Sequence, residues 1–92
     1  MVMQKEIKKQ ADRRLKIIAG QVQGLQRMVE AEKYCVDIIT QAQAVKRSLD
    51  SFEALILKNH LETHVKDQIT SGRMDQATEE ILRIYNLANK QK

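Results

Sequence analysis

Proline is absent from this 92-residue chain, and glycine occurs only three times. A chain of this length with average composition would contain roughly four or five prolines and about six glycines. Because tight turns depend on these two residue types, a fold built from many short strands is disfavoured. The composition therefore predicts an all-α fold and comes close to excluding sandwiches, barrels and doubly wound sheets.

Other features that the sequence lacks exclude further classes of protein. The longest run of apolar residues covers only positions 54–57, whereas a membrane-spanning helix needs about 20 residues. The sequence has no apolar segment of the kind found in secretory signals. Its single cysteine, Cys35, cannot form an intramolecular disulfide. We therefore expect a soluble cytoplasmic protein that has no contact with a membrane.

Apolar residues recur every three or four positions along three segments, which is the spacing of one helix face. These segments span about 4–30, 33–70 and 74–90, and Ser71-Gly72 separates the last two. In the central segment the repeat alternates steps of three and four through Cys35, Ile38, Ala42, Val45, Leu49, Phe52 and Ile56. The pattern predicts that residues 1–92 form a single domain of three helices with one long central helix.

The length of the central helix has a consequence for assembly. At 1.5 Å per residue it is expected to be roughly 50 Å long. Two shorter helices of the same chain cannot cover that length, so its apolar face predicts pairing between subunits. An antiparallel homodimer through the central helices is the simplest closed arrangement.

The positive charge of the chain is concentrated at its N-terminal end. Residues 1–30 contain seven basic and three acidic residues and so carry the entire net charge of +4. A basic helix is most often a solvated surface, but it can also bind a polyanion, most commonly nucleic acid. Because only three aromatic residues are available for base stacking, the sequence favours the backbone of duplex DNA over single strands.

Three side chains carry the metal-binding chemistry of the sequence. His60 and His64 are four residues apart on a helix and share one face, although such pairs also arise by chance on helix surfaces. Cys35 precedes His60 by 25 residues, or roughly 37 Å along a helix, so one chain cannot bring them to the same ion. In an antiparallel dimer, Cys35 of one subunit would lie beside the histidines of the other. The alternative for Cys35 is a small buried core residue.

The same residues give little support for catalysis. In a helical zinc-hydrolase motif the glutamate directly follows the first histidine. Glu62 instead lies two residues after His60. No glycine-rich turn is available to form an oxyanion-binding loop, and no third residue is evident that would orient a Cys–His pair. We therefore expect the protein not to be an enzyme.

Several motifs occur together in the order found in one known family. They are Gly20-Gln21-Val22-Gln23-Gly24-Leu25 in the first helix, Tyr34-Cys35 at the start of the central helix, and His60-Leu61 with His64-Val65 near its end. With these motifs, residues 5–90 resemble the CsoR/RcnR family of metal-sensing transcriptional repressors. The resemblance implies an all-α homotetramer, a dimer of antiparallel dimers, that binds double-stranded operator DNA and releases it on binding metal.

The resemblance also implies which residues bind the metal, namely Cys35 of one subunit with His60 and His64 of the other. Copper sensors of the family commonly have cysteine at the position of His64. Nickel and cobalt sensors use Cys-His-His with an added histidine near the N-terminus, where this chain has Met3. One thiolate with two imidazoles suits three-coordinate Cu(I), whereas Ni(II) and Co(II) prefer more nitrogen and oxygen ligands. We expect Cu(I), with Ni(II), Co(II) and Zn(II) as alternatives.

Further residues follow from the same resemblance. Tyr34 and Glu80 match residues that lie behind the metal ligands in the copper branch, where a hydrogen bond to His60 would fix its tautomer. We expect Glu80 to transmit the effect of metal binding to the third helix. The DNA-binding residues correspond to Arg13, Arg14 and Lys16 on the first helix and to Lys46 and Arg47 on the second. The alternative function is a helical interaction protein without metal, in which Cys35 is buried and both histidines are surface residues.

Overall fold

The computed structural model of the chain describes residues 3–90, and nearly all of them lie in helices. Helix α1 comprises Lys5–Glu30, α2 Cys35–His60, α3 Lys66–Thr70 and α4 Met74–Lys90, and a π-helical turn at Leu61–Val65 joins α2 to α3. Because the backbone stays helical through both joints, α2, the π turn and α3 form one continuous rod. The predicted all-α fold of three helices, one of them long, is confirmed for these residues. None of the described helices is both long and apolar enough to span a bilayer.

Two short turns reverse the direction of the chain between the helices. Glu32 after α1 and Gly72 after α3 both have left-handed backbone angles, with φ of 52° and 79°. The N–H group of Arg73 donates to the carbonyl of Gln68 at 2.6 Å, which is the bond that closes a Schellman motif. Because glycine adopts this conformation without steric strain, the Ser71-Gly72 break ends the rod at the point that the sequence predicts.

Helices α1 and α2 lie side by side and antiparallel. Gln4, just before α1, bonds to Asn59 near the end of α2, and Arg14 bonds to Ser51 further back along it. As the chain advances along α1, its partners therefore retreat along α2. The main apolar core lies between the two helices and consists of Ile7, Ala11 and Leu55, with Met3, Phe52 and Ile56 packed against it.

The chain forms a thin plate. Its Cα atoms extend over 57 × 29 × 13 Å with a radius of gyration of 17.3 Å, whereas a compact domain of this length has a radius of about 12 Å. Large hydrophobic side chains are more than half exposed on its faces, including Ile17, Val29, Val36, Ile39, Leu82, Tyr85 and Leu87. Leu49 of the central repeat is also exposed. These surfaces suit the predicted pairing of subunits, which stays a prediction.

Candidate metal centre and nucleic-acid interface

The two histidines lie where α2 passes into the π turn. His60 is the last residue of α2, and His64 belongs to the π turn. Their ring centroids are 5.1 Å apart, and the ring planes differ by 30°. The side chain of His60 is largely covered, whereas that of His64 is 43% exposed. Both imidazoles therefore occupy one face of the rod, close enough to bind the same ion.

The π turn between them is a local change in helix geometry that the sequence pattern did not predict. The N–H group of Lys66 donates to the carbonyl of Leu61, five residues earlier, instead of to the residue four earlier as in an α-helix. Single π turns within α-helices are rare and are frequent at functional sites. This turn carries His64, so the spacing of the two imidazoles depends on it.

Glu80 reaches the histidines from α4. Its Oε2 atom is 2.6 Å from Nε2 of His60, and its Oε1 atom is 3.9 Å from Nε2 of His64. Because an ionised carboxylate only accepts hydrogen bonds, the proton of a neutral His60 lies on Nε2. Its Nδ1 atom is then unprotonated, which is the state in which an imidazole nitrogen binds a metal ion.

The neighbours of Glu80 alter its acidity. The hydrogen bond from His60 is the largest effect and lowers the pKa of the Glu80 carboxyl, while desolvation acts in the opposite direction. Coulombic interactions with His60 and His64 and a hydrogen bond from Gln68 lower this pKa further. The resulting pKa is below its ordinary value, so Glu80 is ionised at neutral pH and acts as an acceptor.

Cys35 lies at the far end of α2 from the histidines. It is the first residue of that helix and its side chain is exposed, so Cys35 is not part of the core of the single chain. The helix is unbroken from Cys35 to His60, which separates them by roughly 37 Å. Tyr34, which precedes α2, is exposed and lies one residue further from His60 along the chain. Within residues 3–90 of one chain, no three histidine, cysteine or acidic side chains form a group that could hold a metal ion.

Two of the predicted DNA-binding residues meet in a groove between α1 and α2. Arg14 and Arg47 both line this groove, which has a volume of about 360 Å³. The Nη1 atom of Arg14 donates to the carbonyl of Ser51 at 3.1 Å and also to the Ser51 hydroxyl. These bonds hold one guanidinium at the groove edge, so a positively charged surface is formed jointly by both helices.

The other predicted DNA-binding residues lie outside the groove. Arg13, Lys16 and Lys46 are exposed. The ammonium group of Lys16 is 3.1 Å from the carboxylate of Asp12, one turn away on the same helix face. Because both partners are well exposed, this ion pair contributes little to stability and leaves Lys16 free to exchange Asp12 for another anion.

Two buried polar side chains near the histidines were missed by the sequence analysis. Asn59 is 1% exposed and Gln68 is 5% exposed. Asn59 occupies the next step of the central repeat after Ile56. A polar residue at a position that the repeat predicts to be covered could have indicated a buried hydrogen bond there. Gln68 follows Val65 by three residues on a similarly covered face, and its Oε1 atom has no hydrogen-bond partner among the described residues.

Several known proteins are similar to this chain in sequence. Residues 7–86 match the family model described as metal-sensitive transcriptional repressor. The copper-sensing transcriptional repressor CsoR of Bacillus subtilis (strain 168) is 41% identical over 83 residues, which cover 90% of this chain and 82% of that protein. CsoR of Mycobacterium tuberculosis (strain ATCC 25618 / H37Rv) is 39% identical over 83 residues, or 87% of this chain and 70% of that protein.

A solved structure has the same fold. It is the crystal structure of the copper-sensing repressor CsoR with Cu(I) from Geobacillus thermodenitrificans NG80-2. The two chains superpose with a TM-score of 0.87 at 31% sequence identity, over 97% of this chain and 93% of the other. This likeness extends over the helices that carry the histidines, Cys35 and the basic groove.

The lowered pKa of Glu80 predicts how this site responds to acid. Because that pKa is lower in the folded chain than in the unfolded one, the ionised carboxylate stabilises the fold above its ordinary pKa. The contribution is lost as the pH falls through the lowered value. In a titration followed by carboxyl ¹³C shifts, His60→Ala should raise the pKa of Glu80 more than His64→Ala does. A Glu80 pKa at or above its ordinary value in the unsubstituted protein would contradict this assignment.

Proposed function

Because the chain belongs to the family of metal-sensitive transcriptional repressors, we propose that it is a Cu(I)-responsive repressor. In this proposal the apo protein binds operator DNA, and binding of Cu(I) releases it. The observation that carries the proposal is the pair of imidazoles 5.1 Å apart, in which Glu80 holds Nε2 of His60 and leaves Nδ1 available. The protein then acts by binding and has no catalytic role.

The proposed ligands are Cys35 of one subunit with His60 and His64 of its partner. A soft thiolate and two imidazoles suit Cu(I), and the relatives described above are named as copper sensors. Ni(II), Co(II) and Zn(II) are the alternatives. Met3, at the position where the nickel and cobalt branch has histidine, packs against the apolar core between α1 and α2. Met3 supplies no imidazole at that position, which favours Cu(I) over Ni(II) and Co(II).

The proposed partner is double-stranded operator DNA. The groove that contains Arg14 and Arg47 provides cations for phosphate groups, and Arg13, Lys16 and Lys46 are exposed cations on the same two helices. Assembly into a homodimer, and then a homotetramer, would repeat this surface and cover the exposed apolar faces. A transcriptional repressor would act in the cytoplasm, and this also suits Cys35, because a reducing compartment keeps the cysteine thiol available.

We assign to Glu80 the role of connecting the metal centre to α4. It lies on α4 and bonds to His60, so a change in the position of His60 is felt directly by that helix. Metal can release DNA only if it binds the DNA-free conformation more tightly than the DNA-bound one. The bond between His60 and Glu80 gives one contact whose length can differ between these two conformations.

The repressor function predicts a specific response to metal. A fluorescent DNA duplex that the reduced apo protein selects from a random-sequence library should dissociate on addition of Cu(I), as measured by anisotropy. Typical couplings predict a loss of affinity of about 5- to 150-fold. Ni(II), Co(II) and Zn(II) should have smaller effects at equal occupancy. If the protein selects no duplex and binds no metal, the helical interaction protein without metal becomes the better description.

The intersubunit ligand set predicts the outcome of a complementation experiment. A heterodimer of one Cys35→Ala chain and one His60→Ala/His64→Ala chain, purified with two affinity tags, should retain one Cu(I) site per dimer. The matched control pairs an unsubstituted chain with a chain that carries all three substitutions, and this dimer should have no complete site. A site within one chain would give the opposite pair of results. Competition with a Cu(I) chelator measures the stoichiometry in each case.

The basic groove predicts a change in the salt dependence of DNA binding. Replacing either Arg14 or Arg47 with alanine should weaken duplex binding and reduce the slope of log affinity against log salt by about 0.9 for each phosphate group that the protein no longer neutralises. Arg73→Ala, an exposed arginine in the turn before α4, removes the same charge elsewhere and should leave the slope nearly unchanged. An unaltered slope in the groove variants would exclude this surface, while Cu(I) binding should be normal in all three proteins.

A further inference from the structure

The start of α1 is held by side chains from the end of the central rod. The backbone N–H group of Gln4 donates to Oδ1 of Asn59 at 2.9 Å. The side-chain Nε2 of Gln4 donates to Oε2 of Glu62 at 3.0 Å. Gln4 makes no capping bond of its own to the first turn of α1. The position of this helix start is therefore determined by residues that lie 55 and 58 positions away along the chain.

The bond to Asn59 differs from the bond to Glu62 in its surroundings. Asn59 is 1% exposed, whereas the contact between Gln4 and Glu62 is on the surface. A buried amide oxygen that loses its donor cannot turn to water for a replacement, so leaving it unpaired is costly. The N–H group of Gln4 must consequently follow Asn59 whenever the end of α2 changes position.

The same two acceptor residues lie next to the proposed metal ligands in the sequence. Asn59 immediately precedes His60, and Glu62 lies between His60 and His64 in the π turn. Binding of both imidazoles to one ion fixes the backbone of this turn. Each ring is joined to that backbone through one Cβ methylene, and so by only two rotatable bonds. Asn59 and Glu62 belong to that same stretch of backbone, so their acceptor atoms are fixed with it.

At its other end, this connection reaches the basic surface. Arg13, Arg14 and Lys16 follow Gln4 by nine to twelve residues on one unbroken helix, a distance of roughly 14–18 Å. A helix moves nearly as a rigid body, so a tilt or shift at its first residue is carried to these side chains. Arg14 is bonded to Ser51 of α2, and sliding of α1 along α2 would change that contact.

From these contacts we infer that Asn59 is a positioning residue of the metal response, whose buried hydrogen bond to Gln4 couples the His60–His64 turn to α1 and its arginines. This route is separate from the contact between His60 and Glu80, which leads to α4. The inference rests on the proposed function, since it concerns how metal and DNA binding at those sites are linked.

Replacing Asn59 with leucine tests this inference, because the substitution keeps the shape of the side chain and removes the acceptor. The expected result is Cu(I) affinity within about threefold of normal and a much smaller effect of Cu(I) on affinity for the selected duplex. In the unsubstituted protein, Cu(I) should reduce duplex affinity by the usual factor of about 5 to 150. In Asn59→Leu this factor should fall to less than a third of its normal value, a difference that is measurable. Thr63→Val is the matched control. It removes a hydrogen bond to the carbonyl of Asn59 in the same turn but does not touch Gln4, and it should keep the normal coupling.

A second variant removes the donor. Gln4 has a φ of −57°, which suits proline, and Gln4→Pro eliminates the N–H group that bonds to Asn59. It should reproduce the loss of coupling even if Asn59→Leu folds poorly. Gln4→Ala keeps the N–H group and loses only the surface bond to Glu62, so it should retain most of the coupling. Combining Gln4→Pro with Asn59→Leu should reduce coupling no further than either change alone.

A readout that does not involve DNA separates this inference from the proposed function. Amide hydrogen exchange in the first turn of α1, where Lys8 donates to the carbonyl of Gln4, should change when Cu(I) binds the unsubstituted protein. The change should be absent in Asn59→Leu and present in Thr63→Val. If Cu(I) failed to release DNA but this exchange pattern held, the repressor function would be wrong and the coupling through Asn59 correct. If Asn59→Leu and Gln4→Pro kept the normal coupling and exchange response, or Cu(I) left this turn unchanged, the inference would be overturned.

Discussion

The unbroken rod that begins at Cys35 governs most of what this chain can do. A helix of 26 residues from Cys35 to His60 holds the thiol and the imidazoles roughly 37 Å apart, and no side-chain rotation can close that distance. The proposed ligands can therefore meet only between two chains, and an antiparallel pair of rods would bring them together. The same rod is too long for α1 and α4 to cover fully, so the faces needed for such pairing stay apolar and open. The proposed metal centre and the proposed subunit pairing thus follow from one geometric constraint.

That constraint also determines how the fold is stabilised. In a plate 13 Å thick, few side chains can be enclosed on all sides. Among the described residues, the buried apolar ones are Ile7, Ala11, Ile18, Val45, Leu55, Val65 and Ala77. Small domains bury a low fraction of their surface and are marginally stable for that reason. Subunit pairing would add apolar burial, and each metal ion would join two chains across the interface. We therefore regard folding, pairing and metal binding as linked equilibria in the proposed repressor.

Most of the fold could be predicted from the sequence, because apolar spacing reports directly which face of a helix is covered. The Ser71-Gly72 break, the long central helix and the shared face of His60 and His64 all follow from spacing. The π turn could not be predicted, since the apolar spacing within each flanking segment is still that of a helix. Asn59 was missed for a related reason: spacing identifies the position as covered, but its hydrogen-bond partner lies 55 residues away and is decided by tertiary packing. The contact of Glu80 with His60 was expected only through family resemblance, not from spacing.

The histidine pair is joined to both neighbouring helices, and this has a thermodynamic consequence for the proposed repressor. His60 bonds to Glu80 of α4, while the residues beside it bond to Gln4 at the start of α1. If metal changes the positions of α1 and α4 relative to the rod, then DNA held by those positions must resist the change in equal measure, because coupling between two ligands is reciprocal. The protein on its operator should accordingly bind Cu(I) more weakly than the free protein does.

The two contacts need not contribute equally. The His60–Glu80 bond involves a ligand side chain itself, whereas the Asn59–Gln4 bond transmits only the backbone position, so the first should respond to the loss of either histidine and the second chiefly to the conformation of the π turn.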